Sequence, residues 1–257
     1  QNYIDSLDKN DNLSSFRNDF VHANDNICYL DGNSLGRLPK KTIHVVNSFL
    51  QDEWGEQLVE GWDNWINEAQ VSGDLLADSL LEAEMGTVLV CDTTSINFYQ
   101  LCSSVIMSNP DRKTIITDAA NFPTDRYILE GIADHFDLNL VIIDNDSLDS
   151  DDYEIISPSI LEKYLSDDVS LVTFQVLQYR SGALNPIKDI TRLARSYGAL
   201  TVWDASHAVG SVKLAFKENN IDLAVGCTYK YLCSGPGSPA WLYASKNLQG
   251  KLDVPIQ

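Results

Sequence analysis

The sequence has no long hydrophobic run and few basic residues. No segment approaches the ~20 consecutive apolar residues that a membrane-spanning helix needs, and residues 1–16 have neither the basic nor the apolar region of a signal peptide. We therefore expect a cytoplasmic protein with no membrane partner. The 18 Lys and Arg residues face 37 Asp and Glu residues, a formal net charge of -19. This charge repels phosphate backbones and argues against a nucleic-acid partner.

Cysteine is sparse and irregularly spaced. The five cysteines form no Cys-x-x-Cys pair, so the sequence indicates neither a disulfide framework nor a zinc site, and we expect no bound metal. We interpret these thiols as small buried hydrophobic side chains. They are Cys28, Cys91, Cys102, Cys227 and Cys233.

The chain has enough apolar sequence for a large core, because 44% of its 257 residues are hydrophobic. From about Leu75 onward, short β-branched runs alternate with amphipathic segments of helical length. This pattern predicts a three-layer α/β/α domain over residues 76–257, with a mostly parallel seven-stranded sheet between helices. The predicted strands are TVLVC (87–91), TIIT (114–117), LNLVIID (138–144), VSLVTFQV (169–176), ALTVWD (199–204), IDLAVG (221–226) and AWLYA (240–244).

Residues 1–75 differ in character from the rest. They contain a glycine-rich turn, YLDGNSLGRLP (29–39), and a tryptophan-rich helical stretch, FLQDEWGEQLVEGWDNWI (49–66). We interpret this region as an arm that packs against the main domain or a neighbouring subunit. In the main domain, the acidic run DNDSLDSDDYE (144–154) is interpreted as a solvated surface loop.

Polar residues follow several predicted strands, at the edge where such sheets bind ligands. Asp204 ends ALTVWD and is followed by His207, and Lys230 follows IDLAVG. Asp125 lies beyond TIIT, after Pro123, which suits the first turn of a helix. Each residue also has an ordinary structural interpretation, since such an Asp is often a helix cap and a lone lysine is usually a surface charge.

The combination of these groups indicates a particular cofactor. Thr93, Thr94 and Ser95 follow TVLVC and open a predicted helix, whose free N–H groups and dipole favour a bound phosphate. A lysine amine, a carboxylate at a neighbouring strand end and an aromatic ring complete the set that pyridoxal phosphate (PLP) requires. We therefore predict that Lys230 forms a Schiff base with PLP, near Phe122, and that Asp204 keeps the pyridine nitrogen protonated.

The sequence resembles kynureninases, which are PLP enzymes of fold type I in the class V aminotransferase-like group. The specific motifs are DxxHAVG and YKYLxxGxG, with support from GNSLG and FPxD. They occur here in the family's order, across nearly the whole chain. The matching segments are YLDGNSLGRLPK (29–40), EWGEQLVEGWDNW (53–65), NFPTDRY (121–127), WDASHAVG (203–210) and CTYKYLCSGPGSPAWLY (227–243).

The resemblance implies roles for individual residues. Lys230, Tyr229 and Asp204 would be catalytic, with Tyr229 contacting the phosphate and assisting proton transfer. Phe122 would stack on the pyridine ring, and Ser34 lies in a segment that approaches the substrate pocket in the family. The implied cofactor-binding residues are Thr94, Ser95, Phe122, Asp125, Gln175, Asp204, His207, Tyr229 and Lys230.

The chain departs from the family pattern in two places. Gln175, in TFQVLQYRSG, lies near a strand end where the family commonly has Ser or Thr, although its amide can also hydrogen-bond to a cofactor. The chain ends at LQGKLDVPIQ (248–257), where the family continues into a smaller C-terminal domain that normally supplies an arginine for the substrate carboxylate. The resemblance thus implies that this domain is absent from the chain, and that the protein is a homodimer.

The activity implied by the resemblance is hydrolysis of L-kynurenine or 3-hydroxy-L-kynurenine. The products would be L-alanine and anthranilate or its 3-hydroxy form, in tryptophan catabolism and NAD biosynthesis. Two alternatives stay open. The first is another class V PLP reaction, that of a cysteine desulfurase or an aminotransferase. The second is a noncatalytic relative that serves as a binding or assembly subunit.

Overall fold

The structure is a computed structural model that describes residues 2–22, 26–145 and 155–256. Most of the acidic run at 144–154 lies outside these residues. Within the described ranges, no helix is long and apolar enough to cross a membrane. The same ranges contain no group of three or more His, Cys, Asp or Glu side chains arranged to hold a metal ion.

Seven strands form one sheet. They are β1 (Val88–Cys91), β2 (Thr114–Asp118), β3 (Asn139–Ile143), β4 (Val169–Gln175), β5 (Leu200–Asp204), β6 (Leu223–Gly226) and β7 (Ala240–Ala244). Their order is β1-β7-β6-β5-β4-β2-β3. Strand β7 is antiparallel to β1 and β6, and the other neighbours are parallel. The predicted α/β fold with a mostly parallel seven-stranded sheet is therefore confirmed.

The helices up to residue 76 precede the first strand, and the later helices connect strands of the sheet. The helices are α1 (Asn2–Lys9), α2 (Lys40–Ser48), α3 (Gly55–Gln57), α4 (Trp62–Trp65), α5 (Glu68–Leu76), α6 (Thr94–Ser108), α7 (Pro123–Phe136), α8 (Pro158–Leu161) and α9 (Ile187–Ser196). Shorter 3-10 helices span Ser14–Asp19, Leu58–Gly61 and Glu162–Tyr164, and π-helical turns span Phe49–Trp54 and Ala77–Leu81.

The sheet separates two hydrophobic cores because successive strand residues point to opposite faces. On β4, Leu171 packs in a core with residues of α6 and α7, whereas Val172 packs in the other core, together with Ile190 of α9. Strands β2 and β4 are buried along their whole length. The apolar, β-branched sequence of these strands therefore reflects burial on both faces.

The N-terminal region contributes little to these cores. Among the described residues, every buried hydrophobic side chain lies at Ala77 or later, whereas Trp54 and Trp62 are 58% and 59% exposed. Helix α5 packs on β1, and Gly73 lies against the backbone of Val88. The role of residues 1–75 as a separate arm remains a prediction.

The cysteines are less buried than the sequence suggested. Cys102 and Cys227 are buried, but Cys91 and Cys233 are half-buried and Cys28 is exposed. The expectation of a buried thiol is wrong for Cys28 because it lies in the N-terminal region, outside both cores. All five are free thiols.

Candidate active site

A cleft of about 280 Å³ opens at the edge of the sheet where β1, β2, β5 and β6 end and β7 begins. This is the carboxyl edge, where loops after parallel strands form ligand sites. Seven of the residues predicted from the sequence line the cleft. They are Thr94, Ser95, Phe122, Asp125, Asp204, Tyr229 and Lys230.

Lys230 points into this cleft and not into bulk solvent. The residue is only 7% exposed. Its Nζ lies 2.8 Å from Nε2 of His207 and 5.6 Å from the centroid of the Phe122 ring. The interpretation of this lysine as a surface charge is therefore wrong. A buried amine beside an aromatic ring is instead placed to act as a nucleophile.

Asp204 ends β5, between β4 and β6 in the sheet, and is buried. Its Oδ1 accepts a hydrogen bond of 2.9 Å from the backbone N–H of Ser206. This bond orients the carboxylate at the floor of the cleft, next to the loop that carries Lys230. An oriented carboxylate in that position can hold a proton on a cationic group of a ligand.

Asp125 supplies a second carboxylate, from the first turn of α7. Pro123 occupies the start of this helix, as predicted from its sequence context. Burial and the Asp204 carboxylate raise the pKa of Asp125 well above its usual value, although Lys230 acts in the opposite direction. Its Oδ2 is buried and has no hydrogen-bond partner in the described part of the chain.

His207 is the partner of Lys230 and is held in its neutral form. Burial, with the charge of Lys230, lowers the pKa of His207 to about 4, and Asp204 opposes this shift. At neutral pH, Nε2 can therefore accept a hydrogen bond from Nζ of Lys230, which leaves the ring N–H on Nδ1. That nitrogen is buried without a partner among the described residues.

Replacement of Lys230 by Met should raise the pKa of His207, because it removes a neighbouring positive charge. NMR titration of the imidazole checks this, with His207→Gln to assign the signal and Lys213→Met, a change at an exposed lysine, as the control. In the unmodified protein, the neutral form of His207 stabilises the fold at pH values above ~6.5, which is the pKa of histidine in the unfolded chain. This contribution is lost as the pH falls toward about 4, the pKa of His207 in the folded protein. An unchanged midpoint in Lys230→Met would contradict the coupling.

The start of α6 forms the far wall of the cleft. Thr93 caps this helix, and its Oγ1 accepts a hydrogen bond from the N–H of Ile96. Thr94 and Ser95 occupy the first turn, where backbone N–H groups lack partners within the helix. Their hydroxyls and the helix N-terminus can together bind a phosphate. Capping and anion binding are therefore compatible here, since a different threonine caps the helix.

The GNSLG segment supports the Lys230 loop from outside the cleft. The N–H of Gly36 donates a hydrogen bond of 2.8 Å to the carbonyl oxygen of Tyr229. A Cβ at Gly36 would collide with the carbonyl oxygen of Lys230 and lie 2.8 Å from Cα of Cys233, so this close approach requires glycine. Ser34 is exposed and does not line the cleft among the described residues.

Gln175 and Tyr229 complete the predicted set. Gln175 pairs with Asp204 across β4 and β5 and is fully buried, but it is not among the described residues that line the cleft. Its Oε1 accepts a hydrogen bond of 3.3 Å from the N–H of Tyr179, and its Nε2 has no partner in the described ranges. Burial, with the neighbouring Cys227 and Asp204, raises the pKa of Tyr229 to about 12. Its phenol is therefore protonated and can donate.

The sequence analysis missed several residues of the site. Ser206 and Cys227 line the cleft, and the Ser206 hydroxyl accepts a hydrogen bond of 3.2 Å from the N–H of Cys227. This bond joins the loops after β5 and β6. The ring of Tyr179 packs edge-on against Phe122, with centroids 5.2 Å apart. Ser206 and Cys227 both lie within the motifs quoted above. Their closeness in sequence to Asp204 and Lys230 could have identified them as residues of the site.

The donor set of the cleft fits PLP. A buried lysine can bond to an aldehyde, an oriented carboxylate can pair with a pyridine nitrogen, and the start of α6 can bind a phosphate. Three buried polar atoms at or near the cleft also lack partners in the described part of the chain. They are Oδ2 of Asp125, Nε2 of Gln175 and Nδ1 of His207.

Sequence relatives of the chain are kynureninases. The model of the class V aminotransferases (Aminotransferase class-V) matches residues 28–256. The kynureninase of Pseudomonas fluorescens is 34% identical over 259 residues, which cover 98% of this chain and 59% of that protein. The kynureninase of Burkholderia pseudomallei (strain K96243) is 34% identical over 260 residues, with the same shares of each chain.

Solved structures share the fold at low sequence identity. The apo cysteine desulfurase of Thermococcus onnurineus NA1 superposes with a TM-score of 0.72 at 17% identity, over 98% of this chain and 60% of that one. C-DES with glycine covalently linked to its PLP cofactor superposes with a TM-score of 0.71 at 18% identity, over 86% of this chain and 57% of that one. Identities this low establish a likeness of fold alone.

The fold and the cleft define an α/β protein with a candidate lysine-centred cofactor site at the carboxyl edge of its sheet. The chain belongs to the class V aminotransferase family. It spans about 59% of the length of the kynureninases that it matches.

Proposed function

We propose that the protein is a PLP-dependent hydrolase that cleaves L-kynurenine or 3-hydroxy-L-kynurenine into L-alanine and anthranilate or 3-hydroxyanthranilate. The observation that carries the proposal is the buried Nζ of Lys230 in a cleft with Asp204 and Phe122. The similarity to kynureninases over 98% of the chain supports the choice of substrate.

The proposal assigns a specific role to five residues of the cleft. PLP, when bound, withdraws electrons from the amino acid that is attached to it. Lys230 would hold the cofactor, and its free amine would be placed to take the α-proton of the substrate. The carboxylate of Asp204 would keep the proton on the pyridine nitrogen, and Thr94 and Ser95 would hold the phosphate. The Phe122 ring would lie beside the cofactor.

Proton transfer after this first step is assigned to Tyr229. Its phenol lines the cleft and is protonated at neutral pH, because its pKa is raised to about 12. It can therefore donate a hydrogen bond to the substrate, and it would give up its proton only to a strongly basic acceptor. His207 accepts a hydrogen bond from Lys230 and so orients the amine toward the cleft.

The chemistry of the thiols favours this reaction over a cysteine desulfurase. A desulfurase needs a nucleophilic thiolate. Among the described residues, Cys227 is the cysteine that lines the cleft, and burial raises its pKa although Lys230 lowers it. A thiol with a raised pKa is a poor nucleophile at neutral pH. A noncatalytic role is disfavoured because the lysine and both carboxylates are present together.

Product analysis tests the proposal. We expect the purified protein with added PLP to release equal amounts of anthranilate and L-alanine from L-kynurenine, measured by anthranilate fluorescence and amino-acid analysis. Parallel reactions contain 3-hydroxy-L-kynurenine, or L-cysteine with sulfide detection. Sulfide without anthranilate would assign a desulfurase. No product, and no visible absorption that stays with the protein after unbound PLP is removed, would indicate a noncatalytic relative.

We also propose a homodimer, from the resemblance to kynureninases, and sedimentation of the purified protein tests it. Action in tryptophan catabolism and NAD biosynthesis follows from the proposed reaction. A location in the cytoplasm and a smaller C-terminal domain beyond the present chain remain predictions from the sequence.

A further inference from the structure

A buried carboxylate lies outside the cleft, at the end of β2. Asp118 is fully buried, and its Oδ2 accepts two hydrogen bonds of 3.1 Å, from Nδ2 of Asn145 and Nε2 of Gln178. Its Oδ1 has no partner in the described part of the chain. None of the ion pairs between described residues includes Asp118.

The two amides follow the strands on either side of β2. Asn145 follows β3 and Gln178 follows β4, and the order of these strands in the sheet is β4-β2-β3. Asn145 also contacts the loop after β2, since its Oδ1 accepts a hydrogen bond of 3.0 Å from the N–H of Ala120. One carboxylate therefore connects the loops that follow three adjacent strands.

The loop after β4 is a compact turn that presents Tyr179. The N–H of Gln178 donates to the carbonyl of Ala183, and the N–H of Gly182 donates to the carbonyl of Gln178, each at 2.9 Å. The ring of Tyr179 packs edge-on against Phe122, which lies in the loop that follows Asp118. Phe122 in turn lies beside Nζ of Lys230.

We propose that Asp118 is a positioning residue for the candidate cofactor cleft. Its carboxylate fastens the turn that carries Tyr179 to the loop that carries Phe122, and it thereby fixes the Phe122 ring beside Lys230. The effect on the cofactor rests on the proposed function, whereas the connection between the loops does not.

The energetic cost of this carboxylate supports a specific role. Burial raises the pKa of Asp118 to about 6, although the amides of Asn145 and Gln178 and the charge of Arg126 lower it. A neutral side chain would join two loops without the desolvation of a charge. Both amide hydrogen bonds meet at the single oxygen Oδ2, which defines the separation of the two loops, and a charged acceptor makes each of these bonds stronger.

Limited proteolysis of the cofactor-free protein tests the connection. Arg180 is exposed within the turn, so trypsin cleavage after Arg180 reports how often the turn opens. Asp118→Ala removes the acceptor of both amides and should raise the rate of this cleavage by about tenfold. Asp118→Asn keeps an amide oxygen for both bonds and should cleave like the unmodified protein.

A matched control separates this effect from general destabilisation. Thr191→Val removes the buried acceptor of the Trp203 indole N–H, a bond of 2.9 Å on the opposite face of the sheet from α6 and α7. This variant should unfold more easily. The ratio of the cleavage rate at Arg180 to the cleavage rate at Arg192 should nevertheless be the same as in the unmodified protein. Equal acceleration at Arg180 in Thr191→Val and Asp118→Ala would overturn the proposal, as would no acceleration in Asp118→Ala.

The link to the cofactor is measured by visible circular dichroism after PLP addition, which reports how firmly the bound chromophore is oriented. We expect a weaker signal per bound PLP in Asp118→Ala and a restored signal in Asp118→Asn. An unchanged signal in Asp118→Ala, despite faster cleavage, would overturn the positioning role. If the unmodified protein binds no PLP, the proposed function fails, and the proteolysis result still decides whether Asp118 connects the loops.

Discussion

Replacement of Lys230 by Ala should lower the rate of kynurenine cleavage by at least ~1,000-fold. The amine is assigned both the covalent attachment of the cofactor and the removal of the α-proton, and a positioned general base alone contributes ~10²–10⁴-fold. The variant should also lose the visible absorption that lysine-bound PLP gives. Absorption spectra with PLP and steady-state rates of anthranilate release measure the two effects.

A surface lysine provides the control for this change. Lys213→Ala removes the same charge from a side chain that is 70% exposed and pairs with Glu82. It should leave both the spectrum and the rate unchanged, since exposed ion pairs contribute little. If Lys230→Ala retained the spectrum and most of the rate, the lysine would have no covalent role, and the proposed reaction would need another nucleophile.

Replacement of Asp204 by Asn should lower kcat by ~10²–10³-fold, as loss of a preorganised electrostatic partner does in other active sites. Asparagine is nearly the same size, and its oxygen can keep the hydrogen bond from the N–H of Ser206. Only the negative charge is lost, so the proton on the pyridine nitrogen is no longer stabilised. We expect PLP binding to persist while turnover falls, measured by spectral titration and anthranilate release.

Asp222→Asn is a matched control at the opposite edge of the same sheet. Asp222 is also buried, but it precedes β6 and interacts with Arg195 and Thr201 at the opposite edge. This variant should lower the stability of the fold without lowering kcat per folded molecule. Full activity in Asp204→Asn would contradict the assigned role, and an equal loss in both variants would indicate a structural effect instead.

The strands could be predicted from sequence because their signal is local. The run VSLVTFQV became β4, whose residues are all buried, and a short apolar run of β-branched residues is typical of a strand with two covered faces. The order of the strands could not be predicted in the same way. Strand β7 enters antiparallel between β1 and β6, and its pairing with β1 depends on packing between segments that are more than a hundred residues apart.

The candidate site shows the same division. Motif residues such as Asp204 and Lys230 were found because their positions after strands place them at one edge of the sheet. The hydrogen bond between Lys230 and His207, the contact of Gly36 with the Lys230 loop and the link from Asp118 to Gln178 were not found. Each of these contacts joins residues that only the folded backbone brings together, so no local sequence pattern predicts it.

The sequence by itself determined the class of fold and indicated the edge of the sheet that carries the candidate site and the residues proposed to supply its chemistry, because hydrophobic periodicity and strand ends act over a few residues. The tertiary structure decided which side chains meet and in which protonation state. Lys230 is a buried amine beside a neutral His207, and not a surface charge, because separate loops exclude water from it. Burial and charge proximity are properties of the assembled fold, and they determine how these groups can react.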